Sequence, residues 1–120
     1  MRLVVSRSRY RATLFDRGRV IWTSPIGVGA PSTPTPAGAF WVREKFRVTT
    51  LGGSFGPRAI GTSNYSTLSD WPGGGVIGLH GTNEPDLIPG RPSHGCIRIP
   101  NQAITRLYDL LPIGTPITIG

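Results

Sequence analysis

The sequence contains few cysteines and no long apolar run, and each scarcity excludes a class of protein. Its single cysteine, Cys96, cannot form an intramolecular disulfide, so a disulfide-stabilised scaffold is excluded. The longest apolar runs are far shorter than the ~18 residues that a membrane-spanning helix requires. Residues 1–7 carry charge but no apolar stretch of signal-peptide length. We therefore expect either a chain that is not exported or one domain of a longer chain.

Acidic residues and lysine are also scarce, which leaves an arginine-rich chain of net charge +7 with Lys45 as its only lysine. A positive charge of this size favours polyanionic partners such as nucleic acid, an acidic cell-wall polymer or an anionic membrane surface. The arginines are spread along the chain, however, and no recognised nucleic-acid motif is present. We expect no nucleic-acid partner, and general solubility explains the charge equally well.

Glycine and proline are abundant, at 17 and 12 of 120 residues, and they separate short apolar runs instead of forming repeats. This punctuation, in a chain of single-domain length, predicts one mostly β domain over residues 1–120. Strands are predicted over residues 3–5, 10–15, 19–23, 26–29, 39–48, 76–79, 96–99 and 116–119. The first three strands are expected to form a meander.

One helix is predicted over residues 102–111, with Pro100 and Asn101 expected to cap its start. The apolar positions that share one face of this helix are Ile104, Leu107, Leu110 and Leu111. Loops are predicted over residues 30–38, 49–75 and 84–92. The 49–75 segment is rich in Gly, Ser and Thr, and so long a stretch without regular structure is typical of a functional flap.

Both histidines and the cysteine fall within a 17-residue window that begins at His80 and ends at Cys96. A thiol has a reference pKa of about 8.5, so it needs a nearby base or positive charge to ionise at neutral pH. His80 follows a predicted buried strand. His94 lies two residues before Cys96, where extended backbone would project both side chains to the same side. The window predicts a catalytic thiol with an imidazole base.

Other groups near the sulfur have the chemistry that acyl transfer needs. The N–H groups of Gly95 and Cys96 are the natural donors to a developing oxyanion. No carboxylate has a compelling spacing to orient His80, and a backbone carbonyl near Gly81 would serve equally well. The carboxylates considered for that role are Asp70, Glu84, Asp86 and Asp109.

Several further side chains are candidates for substrate binding. Arg58 and Arg98 have the chemistry of carboxylate clamps, although surface ion pairs explain each of them equally well. Trp71 and Tyr65 are candidates for lining a groove, although aromatic residues in a loop more often pin it to the core. The remaining candidates are Ser93 and Asn83.

Two plainer interpretations of the cysteine and histidines compete with catalysis. A lone cysteine is most often a small buried hydrophobe. His80, His94 and Cys96 could also bind zinc, but metal sites usually have tighter ligand spacing and a supporting carboxylate. We therefore expect no metal and no other cofactor.

Residues 80–85, His-Gly-Thr-Asn-Glu-Pro, and residues 93–98, Ser-His-Gly-Cys-Ile-Arg, closely resemble the signature of L,D-transpeptidases of the YkuD (ErfK/YbiS) family. Residues 28–38 and 55–61 resemble other stretches of that domain. The resemblance covers about residues 3–119, and the two-part signature is highly specific.

This resemblance implies a mixed β-sandwich or barrel-like catalytic domain. It implies that Cys96 is the nucleophile and that His80 accepts and returns a proton. It further implies that His94 lies beside the sulfur and that the Gly81 carbonyl orients His80. Arg98 stands where some members carry Asn, which fits an arginine-bearing subgroup.

The implied reaction is 3→3 cross-linking of peptidoglycan stem peptides. Cys96 would attack the third residue of a tetrapeptide stem, D-Ala would leave, and an amine of a neighbouring stem would accept the acyl group. Carbapenems are expected to acylate the same sulfur, and the protein is expected to be a monomer in the cell envelope. Two alternatives stay open: an L,D-carboxypeptidase or other stem-peptide hydrolase, and a non-catalytic domain that binds wall polymer or nucleic acid.

Overall fold

The computed structural model describes residues 1–48, 55–66 and 75–120, and ten strands of these residues form one sheet. One α-helix and a short 3-10 helix, Pro85–Leu87, accompany the sheet. The strands are β1 Arg2–Ser6, β2 Arg11–Asp16, β3 Arg19–Pro25, β4 Gly27–Gly29, β5 Gly38–Arg47, β6 Arg58–Ser66, β7 Gly75–His80, β8 Gly90–Ser93, β9 Ile97–Arg98 and β10 Pro116–Ile119, and the helix is α1 Asn101–Leu110.

The sheet is mixed and follows the order β3-β2-β1-β10-β5-β6-β7-β9-β4-β8. Its first three strands form the predicted antiparallel meander, and the pairs β1/β10, β7/β9 and β4/β8 are parallel. The sheet curls into a half-barrel, so that residues of the meander, the central strands and α1 share one core. The predicted mostly β, barrel-like fold with one helix in the C-terminal half is confirmed.

The central strands carry different side chains on their two faces. Ile60, Leu79 and Ile97 lie side by side on β6, β7 and β9, and they pack in the main core with the buried residues of α1. Because side chains alternate along a strand, the neighbouring pair Ala59 and His80 projects from the opposite face. The sheet therefore separates the helix from the face that carries His80.

The helix begins at Asn101, one residue earlier than predicted, and Pro100 occupies the capping position. The expectation that Asn101 caps the helix is wrong, because no side-chain hydrogen bond caps this helix. The Asn101 side chain instead bonds the loop that follows β7. No helix in the described part of the chain is long and apolar enough to cross a membrane.

The predicted loop over residues 49–75 contains strand β6, which was not predicted. Polar residues hid this strand, because Thr62 and Asn64 are buried but bond the backbone carbonyls of Ile77 and Pro36. The rest of the predicted flap, with Trp71 and Asp70, lies largely outside the described residues. The predicted loop over 84–92 likewise contains the 3-10 helix and most of β8.

Candidate active site

His80 ends strand β7 with its ring almost fully buried, at 2% exposure. Its Nδ1 lies 2.6 Å from the carbonyl oxygen of Gly81. A carbonyl oxygen only accepts hydrogen bonds, so Nδ1 must carry the proton. The neutral ring then has its lone pair on Nε2, which is the nitrogen that can act as a base.

The ring and backbone of His80 are both held by neighbouring groups. The Phe55 ring stacks on the imidazole with centroids 4.2 Å apart and planes 15° apart. The His80 carbonyl accepts the Ile99 N–H at 2.8 Å. A histidine whose ring and backbone are both held keeps one ring orientation. Proton transfer to and from a defined ring nitrogen requires such a fixed orientation.

Cys96 is fully buried and lies immediately before strand β9. The parallel register pairs Leu79 with Ile97, which brings Gly78 beside the cysteine. The Gly78 N–H donates a hydrogen bond to Sγ at 3.3 Å. A donated hydrogen bond favours the ionised sulfur, whereas burial opposes it.

His80 and Cys96 occupy the same face of the sheet. His80 pairs in register with Arg98, and Cys96 precedes Arg98 by two residues. Cys96 also packs with Phe55 and Ala59 in a small apolar cluster, and Ala59 is the strand partner of His80. The structure thus brings the predicted sulfur and the predicted base to one side of β7 and β9.

His94 differs from His80 in exposure and in backbone setting. His94 and Gly95 form a bend, and the φ angle of Gly95 is +119°, a value that side chains rarely adopt. The backbone is therefore not extended between His94 and Cys96, so the geometry that predicted a common side for the two does not occur. His94 is exposed, whereas Cys96 is buried.

Ser93 braces the segment that carries the sulfur. Its hydroxyl donates to the Cys96 carbonyl and accepts the Gly95 N–H at 3.1 Å. The side chain is 2% exposed, so its visible role is to hold the bend. The Gly95 N–H, a predicted oxyanion donor, would have to exchange Ser93 for substrate in order to serve that role.

Thr35 ties the proline-rich loop to the same bend. Its buried hydroxyl donates to the Gly95 carbonyl at 2.7 Å and accepts the Gly29 N–H at 2.9 Å. Thr33 adds a bond from its own hydroxyl to the Ser93 carbonyl at 3.2 Å. The loop over residues 30–38 therefore packs against the sulfur-bearing segment and holds it by hydrogen bonds.

Substitution of Thr35 by valine should destabilise the chain, because it keeps the shape and removes both hydrogen bonds. Each buried group left unpaired costs about 1–3 kcal/mol. Thr35→Ser is the matched control, since it keeps the hydroxyl. Chemical denaturation of the three proteins measures the free energy of unfolding, and equal values for Thr35→Val and Thr35→Ser would contradict this bracing role.

The two candidate arginines lie on different faces of the sheet. Arg98 shares the face of His80, and its guanidinium lies 3.4 Å from the exposed Glu84 carboxylate. Arg58 projects to the helix side, where its guanidinium lies 5.4 Å from the centroid of the Tyr108 ring. Of the two arginines, Arg98 is therefore the one on the sheet face that carries His80.

The other candidates are less informative. Asn83 is exposed in the loop after β7, and Trp71 lies outside the described residues. Glu84, Asp86 and Asp109 are all exposed, and His80 Nδ1 contacts the Gly81 carbonyl oxygen. Within residues 1–48, 55–66 and 75–120, no three His, Cys, Asp or Glu side chains are grouped as metal ligands.

Sequence reasoning missed three residues that shape the site. Gly78 donates to the sulfur, Phe55 stacks on His80, and Thr35 holds the bend. Gly78 left a signal, because a glycine two residues before His80 lies on the same strand face. Phe55 and Thr35 lie in the stretches 55–61 and 28–38 that the resemblance singled out, but they reach the site through tertiary contacts that no local pattern encodes.

Comparisons of the sequence with family models and with known proteins identify the same family. A model of the YkuD family, L,D-transpeptidase catalytic domain, matches residues 1–119. The Bacillus subtilis protein YkuD is 35% identical over 118 residues, which are 98% of this chain and 65% of that protein. The chain spans 64% and 65% of the lengths of two such Bacillus relatives.

Solved structures have the same fold. An Enterococcus faecium L,D-transpeptidase matches with a TM-score of 0.78 and 26% identity, over 98% of this chain and 48% of that one. The L,D-transpeptidase LdtMt1, in complex with imipenem, matches with a TM-score of 0.78 and 25% identity, over 99% of this chain and 58% of that one. The matches include nearly every residue of this chain.

Proposed function

Because the chain belongs to the YkuD family of L,D-transpeptidase catalytic domains, we propose that it transfers acyl groups between peptidoglycan stem peptides through a thioester on Cys96. One observation carries the proposal above all. His80 is held by the Gly81 carbonyl with its lone pair on Nε2, on the sheet face that also carries the sulfur. Nucleophilic catalysis by a thiol needs such a fixed base.

The first half-reaction forms the thioester. His80 Nε2 takes the proton from Sγ, and the thiolate attacks the carbonyl carbon of the third residue of a tetrapeptide stem. The Cys96 N–H, with the Gly95 N–H, stabilises the oxyanion that develops. The amide bond to D-Ala breaks, the proton on His80 passes to the leaving amine, and D-Ala departs.

The second half-reaction consumes the thioester. An amine of a neighbouring stem attacks the same carbonyl carbon while His80 takes a proton from that amine. The C–S bond breaks, and the proton returns to the sulfur. The product is a 3→3 cross-linked dimer, and no net proton is gained or lost by the enzyme.

Arg98 is the candidate for orienting the donor stem. It lies in register with His80, and its guanidinium is paired with the exposed carboxylate of Glu84. A guanidinium recognises a carboxylate with two parallel hydrogen bonds. We assign it the stem carboxylate nearest the scissile bond, in exchange for Glu84.

Mass spectrometry of purified tetrapeptide-stem muropeptides tests the proposed function. After incubation with the enzyme, we expect a dimer whose mass is that of two monomers minus one free D-Ala molecule. Loss of D-Ala without a dimer would assign the hydrolase instead. No change in either product would contradict catalysis on this substrate and favour a wall-binding domain.

Carbapenems should acylate Cys96. Imipenem is bound in the structure of LdtMt1, which has the same fold as this chain. A strained β-lactam carbonyl presents the thiolate with the same kind of target as the stem amide.

Because stem peptides are in the wall, we propose that the protein acts in the cell envelope.

A further inference from the structure

The side chain of Asn101 reaches out of the helix to the loop after β7. Asn101 Oδ1 lies 2.8 Å from the N–H of Thr82. The atom that faces this donor must be the amide oxygen, because an N–H cannot pair with the NH₂ group. Asn101 therefore holds Thr82 instead of capping its own helix.

The Thr82 N–H and the Gly81 carbonyl belong to one planar peptide group. One edge of that peptide bonds Asn101 Oδ1, and the other edge accepts the proton of His80 Nδ1 at 2.6 Å. The two hydrogen bonds are therefore in series. A bond donated from the N–H also polarises the carbonyl of the same peptide and strengthens it as an acceptor.

Two glycines leave space for the Asn101 oxygen. A Cβ on Gly81 would overlap Asn101 Oδ1, and a Cβ on Gly56 would lie 2.5 Å from the same atom. Gly56 also has a φ of +61°, which favours glycine. The backbone on both sides is therefore shaped around this amide oxygen, so its position is specific.

We infer that Asn101 is a positioning residue that fixes the proton of His80 on Nδ1 through the Gly81–Thr82 peptide. The catalytic part of this inference rests on the proposed function, in which His80 Nε2 is the base. With Asn101 removed, the peptide loses the acceptor on its N–H edge, and its carbonyl becomes a weaker and less fixed partner for the ring proton that sets the tautomer. A ring with its proton on Nε2 cannot accept one from the sulfur.

Asn101→Ala is a clean test, because the residue is exposed and its loss opens no cavity in the core. Asn101→Asp keeps an oxygen acceptor, and a negative charge is favourable at a helix N-terminus. Asn101→Ser keeps a small polar side chain, but its hydroxyl is one bond closer to the backbone than the amide oxygen and so falls short of Thr82. Gln102→Ala, at the exposed next position of α1, controls for changes in the helix alone.

The tautomer is read by long-range ¹H–¹⁵N correlation of the histidine rings at alkaline pH. In the wild type we expect His80 with its proton on Nδ1, and His94 in the same spectrum is the internal reference. Asn101→Ala and Asn101→Ser should shift His80 toward the Nε2 tautomer, whereas Asn101→Asp and Gln102→Ala should not. An unchanged His80 signal in both Asn101→Ala and Asn101→Ser would overturn the inference.

Turnover supplies the second readout. Asn101→Ala should lower kcat for D-Ala release by about 10–100-fold, with KM little changed. This is the size of effect seen when a functional histidine that binds a metal loses the group that orients its ring. Asn101→Asp should restore most of that loss. If the wild type releases no D-Ala, the proposed function fails while the ring spectra still decide the tautomer. A shifted tautomer with an unchanged kcat would overturn the catalytic role of Asn101.

Discussion

Replacement of Cys96 by alanine should abolish D-Ala release and dimer formation, with a loss of at least about 10³-fold. The chain has no other thiol, and neither a water nor a serine hydroxyl at this place has the nucleophilicity of a thiolate. The intact mass of the wild type should rise by one imipenem after incubation, whereas that of Cys96→Ala should not change.

The fold should survive this substitution at a measurable cost. Cys96 is fully buried, and its sulfur accepts the N–H of Gly78. Alanine leaves that buried N–H unpaired, which costs about 1–3 kcal/mol of unfolding free energy. Serine offers an oxygen to the same donor, so Cys96→Ser should be inactive but more stable than Cys96→Ala.

Chemical denaturation and product mass spectrometry together separate the two roles of the sulfur. Two inactive variants with different unfolding free energies would assign catalysis to the thiol and the stability difference to the Gly78 contact. Residual dimer formation by either variant, above a no-enzyme blank, would show that Cys96 is not the nucleophile.

The local pattern of the sequence predicts most of the regular structure. Short apolar runs separated by glycine and proline predicted the meander β1–β3 and strands β5, β7 and β10, because each run alternates or is continuously apolar. Helix α1 follows from leucine and isoleucine at three- and four-residue spacing. These elements bury side chains that are themselves apolar, so the sequence shows the burial directly.

Strand β6 could not be predicted, because its burial depends on distant partners. Thr62 and Asn64 are polar residues whose hydroxyl and amide groups become buried only when Ile77 and Pro36 supply carbonyls. A pattern read along the chain assigns such residues to a loop. The same reason explains Asn101, whose expected helix cap was replaced by a bond to Thr82.

The candidate site could be predicted as a set of residue types but not as an arrangement. The spacing of His80 and Cys96 identified both groups, and the structure places them on one sheet face. The face on which each arginine lies was not predictable, since it depends on the registers of β6 and β9 against β7. The first register turns Arg58 toward Tyr108, and the second leaves Arg98 beside His80.

Substitution of His80 by glutamine should lower the rate of thioester formation by about 10²–10⁴-fold, the usual contribution of a positioned general base. A glutamine amide can still donate to the Gly81 carbonyl, so the local hydrogen bond can persist while the basic nitrogen is lost. The stack on Phe55 is also lost, which should cost some stability. The measurement is the rate of imipenem adduct formation, followed by mass spectrometry.

His94→Gln is the matched control, because the same chemical change is made two residues from the sulfur at an exposed side chain. An exposed hydrogen bond is worth about 1 kcal/mol, so this variant should lose less than about tenfold. A larger rate loss in His94→Gln than in His80→Gln would assign the base to His94. The contact between His80 and the Gly81 carbonyl would then have no role in catalysis. Equal effects would mean that neither ring acts alone.

The pH profile distinguishes a lost base from a distorted site. The wild-type rate should rise and then fall with pH, with apparent pKa values that belong to the His80 and Cys96 pair together. His80→Gln should remove one limb of that profile, because only the thiol then titrates, whereas a variant that merely distorts the site would keep both limbs at a lower height. A wild-type profile that is flat between about pH 6 and 9 would contradict the use of His80 as a base.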